Sequence, residues 1–291
     1  YVAVGTITDK TWIGGTSTSW NTASNWSCGT LPSASDVIII SSGSPVLDTN
    51  FTVGSGGSLT ISGTSTTFTI SPTSTLTVTG TANFGGKAVT IKSNSSGNGA
   101  IGQVTGTLSG ATNVTVERYI PAKRSWRAIT APVTMTTSIN ANWQEGSPGT
   151  GNGYGFDIWS NSGGTGIITG GTGSSLLAYD STTNNTWSAI TNTTTASSMM
   201  DGSKNKPFMA FVTGPYGTNN VTAGATETTL RATGTLLTGN QTYTTTAGKY
   251  TFIGNPYASP LSPALLLDDT DNSAFGGNIW VWVQTLQVRI K

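Results

Sequence analysis

Few side chains in this sequence can do chemistry, and their types narrow what it can be. Histidine is absent and cysteine occurs once, as Cys28. Without imidazole there is no Ser-His-Asp or Cys-His relay, no histidine metal site and no acid–base shuttle of that kind near neutral pH. One thiol makes neither an internal disulfide nor a metal cluster, so Cys28 reads as a buried, inert thiol. What remains is twelve carboxylates: Asp9, Asp36, Asp48, Glu117, Glu145, Asp157, Asp180, Asp201, Glu227, Asp268, Asp269 and Asp271. A glycosidase needs two carboxylates about 5–10 Å apart. Most of these twelve stand alone in sequence, and those in the N-terminal half border turns, so no pair is favoured. The expectation is a protein that is not an enzyme and uses no cofactor or catalytic metal.

Three shorter signals were weighed. The densest acidic run, Asp268-Asp269-Thr270-Asp271-Asn272, fails the calcium-loop pattern: counted from Asp269, the sixth position lacks glycine and the twelfth is Trp280, not glutamate. It reads as a solvated turn. Asp180-Ser181-Thr182 is similar to the short O-glycosylation signal of Bacteroidota, which makes Ser181 a candidate glycan site; a sugar there would hydrate a surface poor in charge. The basic cluster Arg118, Lys123, Arg124 and Arg127 reads as a solvated strand pair and turn. With a formal net charge of +1 there is no electrostatic case for nucleic acid or an anionic membrane. No apolar run approaches the ~20 residues that span a bilayer; the longest candidates, 37–40 and 279–283, have strand lengths.

The elements that must position these residues are strands. Charged residues are 9% of the chain, against about 25% in an ordinary soluble domain. About a fifth of the residues are threonine, which hydrates without charge and suits a pleated strand. Nine Trp, eight Tyr and eight Phe supply the anchors that disordered chains lack. Apolar residues alternate with threonine in Leu59-Thr-Ile61, Phe68-Thr-Ile70, Leu76-Thr-Val78, Val89-Thr-Ile91 and Val114-Thr-Val116. These segments recur at short intervals across Ser-Gly-Thr-Ser and Ser-Pro-Thr-Ser turns. Because the turns are not Asn-Gly or Asp-Gly hairpin signals, a β-solenoid is preferred to a β-meander. Composition shifts near residue 112, after a Gly/Ser/Asn-rich stretch. The expectation is therefore all-β: a β-solenoid over 1–112 and a β-sandwich-like domain over 113–291. Strands are expected around 174–180, 187–191, 207–213, 228–236, 249–253 and 278–286, with a long Gly-rich loop over 146–173 and a short helix over 260–269 starting near Pro263.

Five motifs occur in order. They are Thr11-Trp12-Ile13-Gly14-Gly15 with Trp20-Asn21, Asn25-Trp26, Leu31-Pro32 and Asp36-Val37-Ile38-Ile39; Val114 through Arg127; Asp201 through Phe211; Thr229 through Leu236; and Phe252-Ile-Gly-Asn-Pro-Tyr-Ala-Ser-Pro-Leu261. The set resembles that of large secreted surface proteins of Bacteroidota, many exported by the type IX secretion system. The resemblance implies an extracellular, β-rich, adhesin-like protein exported with a C-terminal sorting domain, which residues 280–291 do not match. The residues make sense on their own terms too. Trp12, Trp20 and Trp26 are spaced to cap the open end of a solenoid, whose core would otherwise meet water. Asn25 and Asp36 close the intervening turns, and Pro256 and Tyr257 fix and anchor a later one.

Together these observations imply an extracellular structural or adhesive cell-surface protein, and a start at Tyr1 rather than Met is expected of either a processed or a truncated chain. The alternative is a secreted carbohydrate-binding or polysaccharide-degrading module. Strand-forming sequence at both ends, 1–8 and 279–290, implies self-association by strand addition or end-to-end stacking into a filament. Surface polysaccharide is the other expected partner; nucleic acid and a membrane span are not expected.

Overall fold

The structure, a computed structural model, describes residues 9–145, 153–180, 186–195, 200–201, 204–218, 224–268, 279–283 and 286–290. It is nearly all β, 40% strand and 6% helix, and is built on a parallel β-solenoid of about four turns.

The solenoid follows from short strands in which alternate residues face inward. A leading strand, β1 (Asp9–Thr11), is followed by the first coil: β2 (Val37–Ile40), β3 (Val46–Leu47) and β4 (Phe51–Val53). The second coil is β5 (Ser58–Ile61), β6 (Thr67–Ile70) and β7 (Thr75–Val78). The third is β8 (Thr81–Asn83), β9 (Ala88–Ile91) and β12 (Ala100–Val104), with an antiparallel ear, β10 (Ser93–Asn94) and β11 (Gly97–Asn98), inserted before β12. The fourth holds β13 (Thr107–Ser109) and β14 (Val114–Ile120). Pairing between coils is parallel and in register, apart from a bulge in β12 between Ile101 and Val104, so like positions stack. Ile38, Leu59, Ala82 and Leu108 form one inward column; Leu47, Ile70, Ile91 and Val116 form another; Phe51, Leu76 and Ile101 form a third. Each fully buried aliphatic contributes about 1.5–3 kcal/mol, which the intervening threonines, facing out, do not.

The corner between β7 and β8 recurs between β12 and β13. Thr79 and Gly80 both donate their N–H to the Val53 carbonyl at 2.8 and 2.9 Å; Thr105 and Gly106 both donate to the Val78 carbonyl at 3.1 Å. The coils approach so closely there that a Cβ on Gly80 would collide with the Gly54 carbonyl, and one on Gly106 with the Gly80 carbonyl.

Beyond the fourth coil the chain forms β15 (Ser125–Ile129), β16 (Val133–Thr134), α1 (Ile139–Trp143), β17 (Trp159–Ser160), β18 (Ile168–Thr169), β19 (Leu176–Asp180) and β20 (Thr186–Ala189). It continues through β21 (Met200–Asp201), β22 (Lys204–Asn205), β23 (Phe208–Val212), β24 (Thr228–Leu236), α2 (Pro263–Asp268), β25 (Ile279–Val283) and β26 (Leu286–Ile290). The expected division at residue 112 falls just before β14, and β14 belongs to both parts. One edge of it pairs in parallel with β9 (Val114↔Val89); the other pairs antiparallel with β24 along its whole length, Val114↔Gly234 to Ile120↔Thr228. The solenoid face thus extends into a six-stranded mixed sheet, β16-β24-β14-β9-β6-β3. The remaining strands form a four-stranded antiparallel sheet, β15-β23-β19-β20, and the pairs β17–β18, β21–β22 and β25–β26. One hydrophobic core runs from Trp12 to Ala258 through both parts.

Three elements depart from expectation. The strand expected over 249–253 is not formed; Phe252 instead packs edge-on against Tyr179 and Trp187, at 6.4 and 5.3 Å, so the apolar side chain anchors a loop rather than a ladder. The segment 278–286 becomes a hairpin, β25 against β26. The helix shortens to α2, with Pro263 as its first residue, and none of its side chains is buried: Leu265 is 72% exposed.

Gly80→Ala is expected to cost about 1–3 kcal/mol in urea unfolding, because the corner cannot open without parting the coils. Gly224→Ala, with nothing near its would-be Cβ, is expected to stay within about 0.5 kcal/mol.

Candidate functional site

At the N-terminal end, residues 9–26 lie across the first coil. β1 sits on β2, Trp12 N–H donates to the Ile39 carbonyl (2.8 Å), and Trp20 N–H donates to the Val46 carbonyl (2.8 Å). The structure brings the three predicted tryptophans together. Trp26 meets Trp12 and Trp20 edge-to-face at 5.2 and 4.7 Å, and Trp20 continues onto Phe51 (5.0 Å) and Phe68 (6.0 Å) of the coils beneath. All three are 3% exposed or less, so their faces are spent on the core and not offered to a ligand. Trp26 Nε1 donates to the Trp20 carbonyl (3.0 Å). Buried Asn25 ties the same loop: its Oδ1 accepts from Thr16 N and Ser17 N, and its Nδ2 donates to the Ser19 carbonyl. Asp36 Oδ2 accepts from Ser33 N (2.7 Å). Lys10, in the core-facing row beside Ile38, is buried with its Nζ on Thr30 Oγ1.

The outer faces of the coils carry a different array. On one face, Val37, Ser58, Thr81 and Thr107 form a column, and Ile39, Thr60, Asn83 and Ser109 form a second. On another, Thr69, Thr90 and Thr115 stack and continue onto β24, where Thr115 and Thr233 hydroxyls meet at 2.7 Å. None of these positions is ionisable; above them, on β1, Asp9 heads the first column and Thr11 the second. Strand spacing sets hydroxyls about 4.8 Å apart along each column.

Charge is gathered instead where β14 meets β24. On their outer side Glu117 is buried, accepting from Lys92 Nζ (2.9 Å) and Ser93 N (3.2 Å). Arg231, opposite Glu117, donates to both Glu145 oxygens, Nε to Oε1 at 3.1 Å and a terminal nitrogen to Oε2 at 2.7 Å, and lies 3.6 Å over the Tyr154 ring. The Glu145 hydrogen bond holds the Arg231 guanidinium above its ordinary pKa. Glu145 itself, just past α1, takes φ = 52°, a left-handed conformation maintained by that bidentate grip. Tyr119 donates to Glu227 Oε2 (2.7 Å), which raises the phenol's pKa. On the inner side of the same strand pair is a cleft of 470 Å³ whose wall includes Arg118 and Arg127. It is roofed by the Gly254–Tyr257 turn, fastened to the solenoid by Ile101 N–H on the Ala258 carbonyl (2.9 Å). The sequence marked Arg118, Lys123, Arg124 and Arg127 as one solvated cluster; in the structure Arg127 is buried and Arg118 half-buried, because both belong to strands that face this cleft.

The other candidates are scattered. Buried Asp157 accepts from Gly217 N (2.7 Å), and Asp48 from Ser19 Oγ and Asn21 N. Among the described residues no three of His, Cys, Asp and Glu gather as a metal group. Ser181, Asp269 and Asp271 lie outside the described residues, as do residues 1–8. Cys28 is not buried but exposed, in the turn that follows Trp26.

Residues 11–290 match a family described as a domain of unknown function (DUF8693). The chain belongs to the DUF8693 family. The matched span takes in the coils, the β14–β24 junction and the terminal hairpin alike. No curated protein and no solved structure matches the chain.

Removing the ring of Trp20, which bridges the N-terminal loop and two coils, should cost about 3–5 kcal/mol in chemical denaturation of Trp20→Ala. Arg231→Lys should cost about 1–2 kcal/mol, since lysine keeps the charge but loses the two-pronged grip on Glu145.

Proposed function

We propose that this DUF8693 protein is an extracellular structural or adhesive component of a bacterial cell surface, like the Bacteroidota surface proteins its motifs resemble, and not an enzyme. The observation that carries this reading is the pair of uncharged columns from Val37 and Ile39 down to Thr107 and Ser109. Below the aliphatic Val37 and Ile39, six hydroxyl and amide side chains at strand spacing form a neutral array that fits a partner itself repetitive and neutral, such as surface polysaccharide, by many weak hydrogen bonds in parallel. Trp12, Trp20 and Trp26 act as the cap that keeps the core dry at the exposed end.

Self-association by strand addition belongs to the same reading. The hairpin β25–β26 pairs with no third strand among the described residues, so each of its edges is a template for another chain. End-to-end stacking of solenoids is disfavoured, because Lys10 places a buried cation in the core-facing row at the N-terminal edge.

Thr60→Lys/Thr81→Lys should abolish retention on a polysaccharide array while leaving the circular-dichroism spectrum and melting temperature near wild type; unchanged retention on the same glycans would refute the columns as the contact. Electron microscopy of the purified protein should show filaments that deletion of 279–290 removes. Filaments that persist in that deletion would place assembly elsewhere.

A further inference from the structure

The core-facing row of β14 reads Val114, Val116, Arg118, Ile120: three buried aliphatics and one cation. Across the strand pair, Arg118 stands opposite Leu230, whose neighbours in the same row, Thr228 and Ala232, are buried. An aliphatic would complete this row. Instead a guanidinium faces the 470 Å³ cleft at the place where β14 runs past the end of β9.

A guanidinium has five N–H donors. Arg118 spends one terminal nitrogen on the carbonyl of Glu117, at 2.8 Å. The ion pairs among the described residues are Lys92–Glu117 and Arg231–Glu145, so no carboxylate neutralises Arg118. Burial lowers its pKa, the signature of a charge held away from water without a counter-charge. Arg127, in the same wall, is a different case. It donates to the carbonyls of Pro121, Lys123, Ser125 and Val212 and so staples the 121–125 turn to β23. Arg118 is the group with donors to give.

Apolar and aromatic side chains, Ile129, Trp143, Leu230 and Phe252 among them, line it beside the polar Asn98, Thr130 and Asn255, and the volume is that of a small-molecule site. We propose that this cleft binds a small organic carboxylate with an apolar body. Its two oxygens take the fork of Arg118, and its body lies against Trp143 and Phe252. Arginine matches a carboxylate two bonds to two, and in a half-desolvated wall such bonds are strong. This site is separate from the outward columns and does not depend on them.

The test is calorimetric titration of the full chain with phenylacetate, 2-phenylethanol, glucuronate and sulfate. Phenylacetate should bind saturably, and the neutral 2-phenylethanol about thirtyfold more weakly or not at all. Arg118→Gln should lose the same factor. Ala232→Phe, which fills the cleft and leaves the guanidinium in place, should also abolish binding, so the proposal stays decidable even if the arginine variant does not fold. Arg118→Leu, completing the aliphatic row, should raise the melting temperature while removing binding. No phenylacetate binding to the wild type, or binding that survives both Arg118→Gln and Ala232→Phe, would overturn the site. Preference for glucuronate or for sulfate would overturn the apolar body.

Discussion

Everything in this protein follows from holding successive coils at the spacing of a β-ladder, about 4.8 Å, and in register. That separation is fixed by backbone hydrogen bonds, so every residue directly above or below another must tolerate the same distance. Inward columns therefore become continuous aliphatic stacks, Ile38 to Leu108 and Leu47 to Val116. Corners tolerate almost nothing between coils, which is why Gly54, Gly80 and Gly106 lie above one another. Outward columns must not bring like charges together at ladder spacing, where repulsion would be felt at every rung. Threonine, serine and asparagine meet that condition. The scarcity of charge is a consequence of the stacking geometry before it is a property of the surface.

A stack of coils has no natural end, since each coil exposes the same apolar section as the last. This chain closes its two ends differently. At the N-terminal end, residues 9–26 lie over the first coil, with Trp20 on Phe51 and Phe68 and Lys10 in the core-facing row beside Ile38. Beyond the fourth coil no further parallel strand is laid on β14; β24 runs antiparallel along it and shifts the sheet from parallel to mixed. An antiparallel partner breaks the column repeat, and charge returns to the sequence at that point. Lys92, Glu117, Glu145, Arg231 and Glu227 all cluster around β14 and β24, where neighbouring positions no longer repeat one residue type and opposite charges can be paired.

Much of this could be read in the sequence. Alternation of Leu, Phe, Ile and Val with threonine marks β5, β6, β7, β9 and the start of β14 with their buried faces, but not the short β3, β4, β8 and β13, and turns without Asn-Gly or Asp-Gly favour parallel coils over hairpins. The double role of β14 was hidden, because strand pairing is a non-local fact and Val114-Thr-Val116 reads alike whether its neighbour is β9 or β24. The repeated corner also has a signature in the sequence: Val78-Thr79-Gly80-Thr81 recurs as Val104-Thr105-Gly106-Thr107. The irregular step between repeats conceals it, because β10–β11 is inserted within the third coil. Arg118 was counted with Lys123 and Arg124 as a solvated cluster; only the phase of the alternation, which sets it in line with Val114 and Val116, distinguishes it. Lys249–Ile253 failed for the converse reason. Its alternation is real, but Phe252 is used as an anchor on Tyr179 and Trp187 rather than as a rung.

The same phase argument separates the two surfaces of the molecule. A threonine displaced by one position along a solenoid strand would enter the core with its hydroxyl unpaired; a valine displaced the other way would interrupt a hydroxyl column. Such exchanges fall where a ladder has a partner on one side alone among the described residues, as at Lys10 on β1, because there a core-facing side chain is not held between two rungs. Arg118 occupies such a place, two residues beyond the Val116↔Ile91 pair. The cleft it faces is thus a consequence of stopping the solenoid in mid-sheet: β14 continues, β9 does not, and the space beyond is walled by Asn98 of β11, α1, β15, β24 and the Gly254–Tyr257 turn. A protein built from repeats acquires a non-repetitive recess at the point where repetition stops.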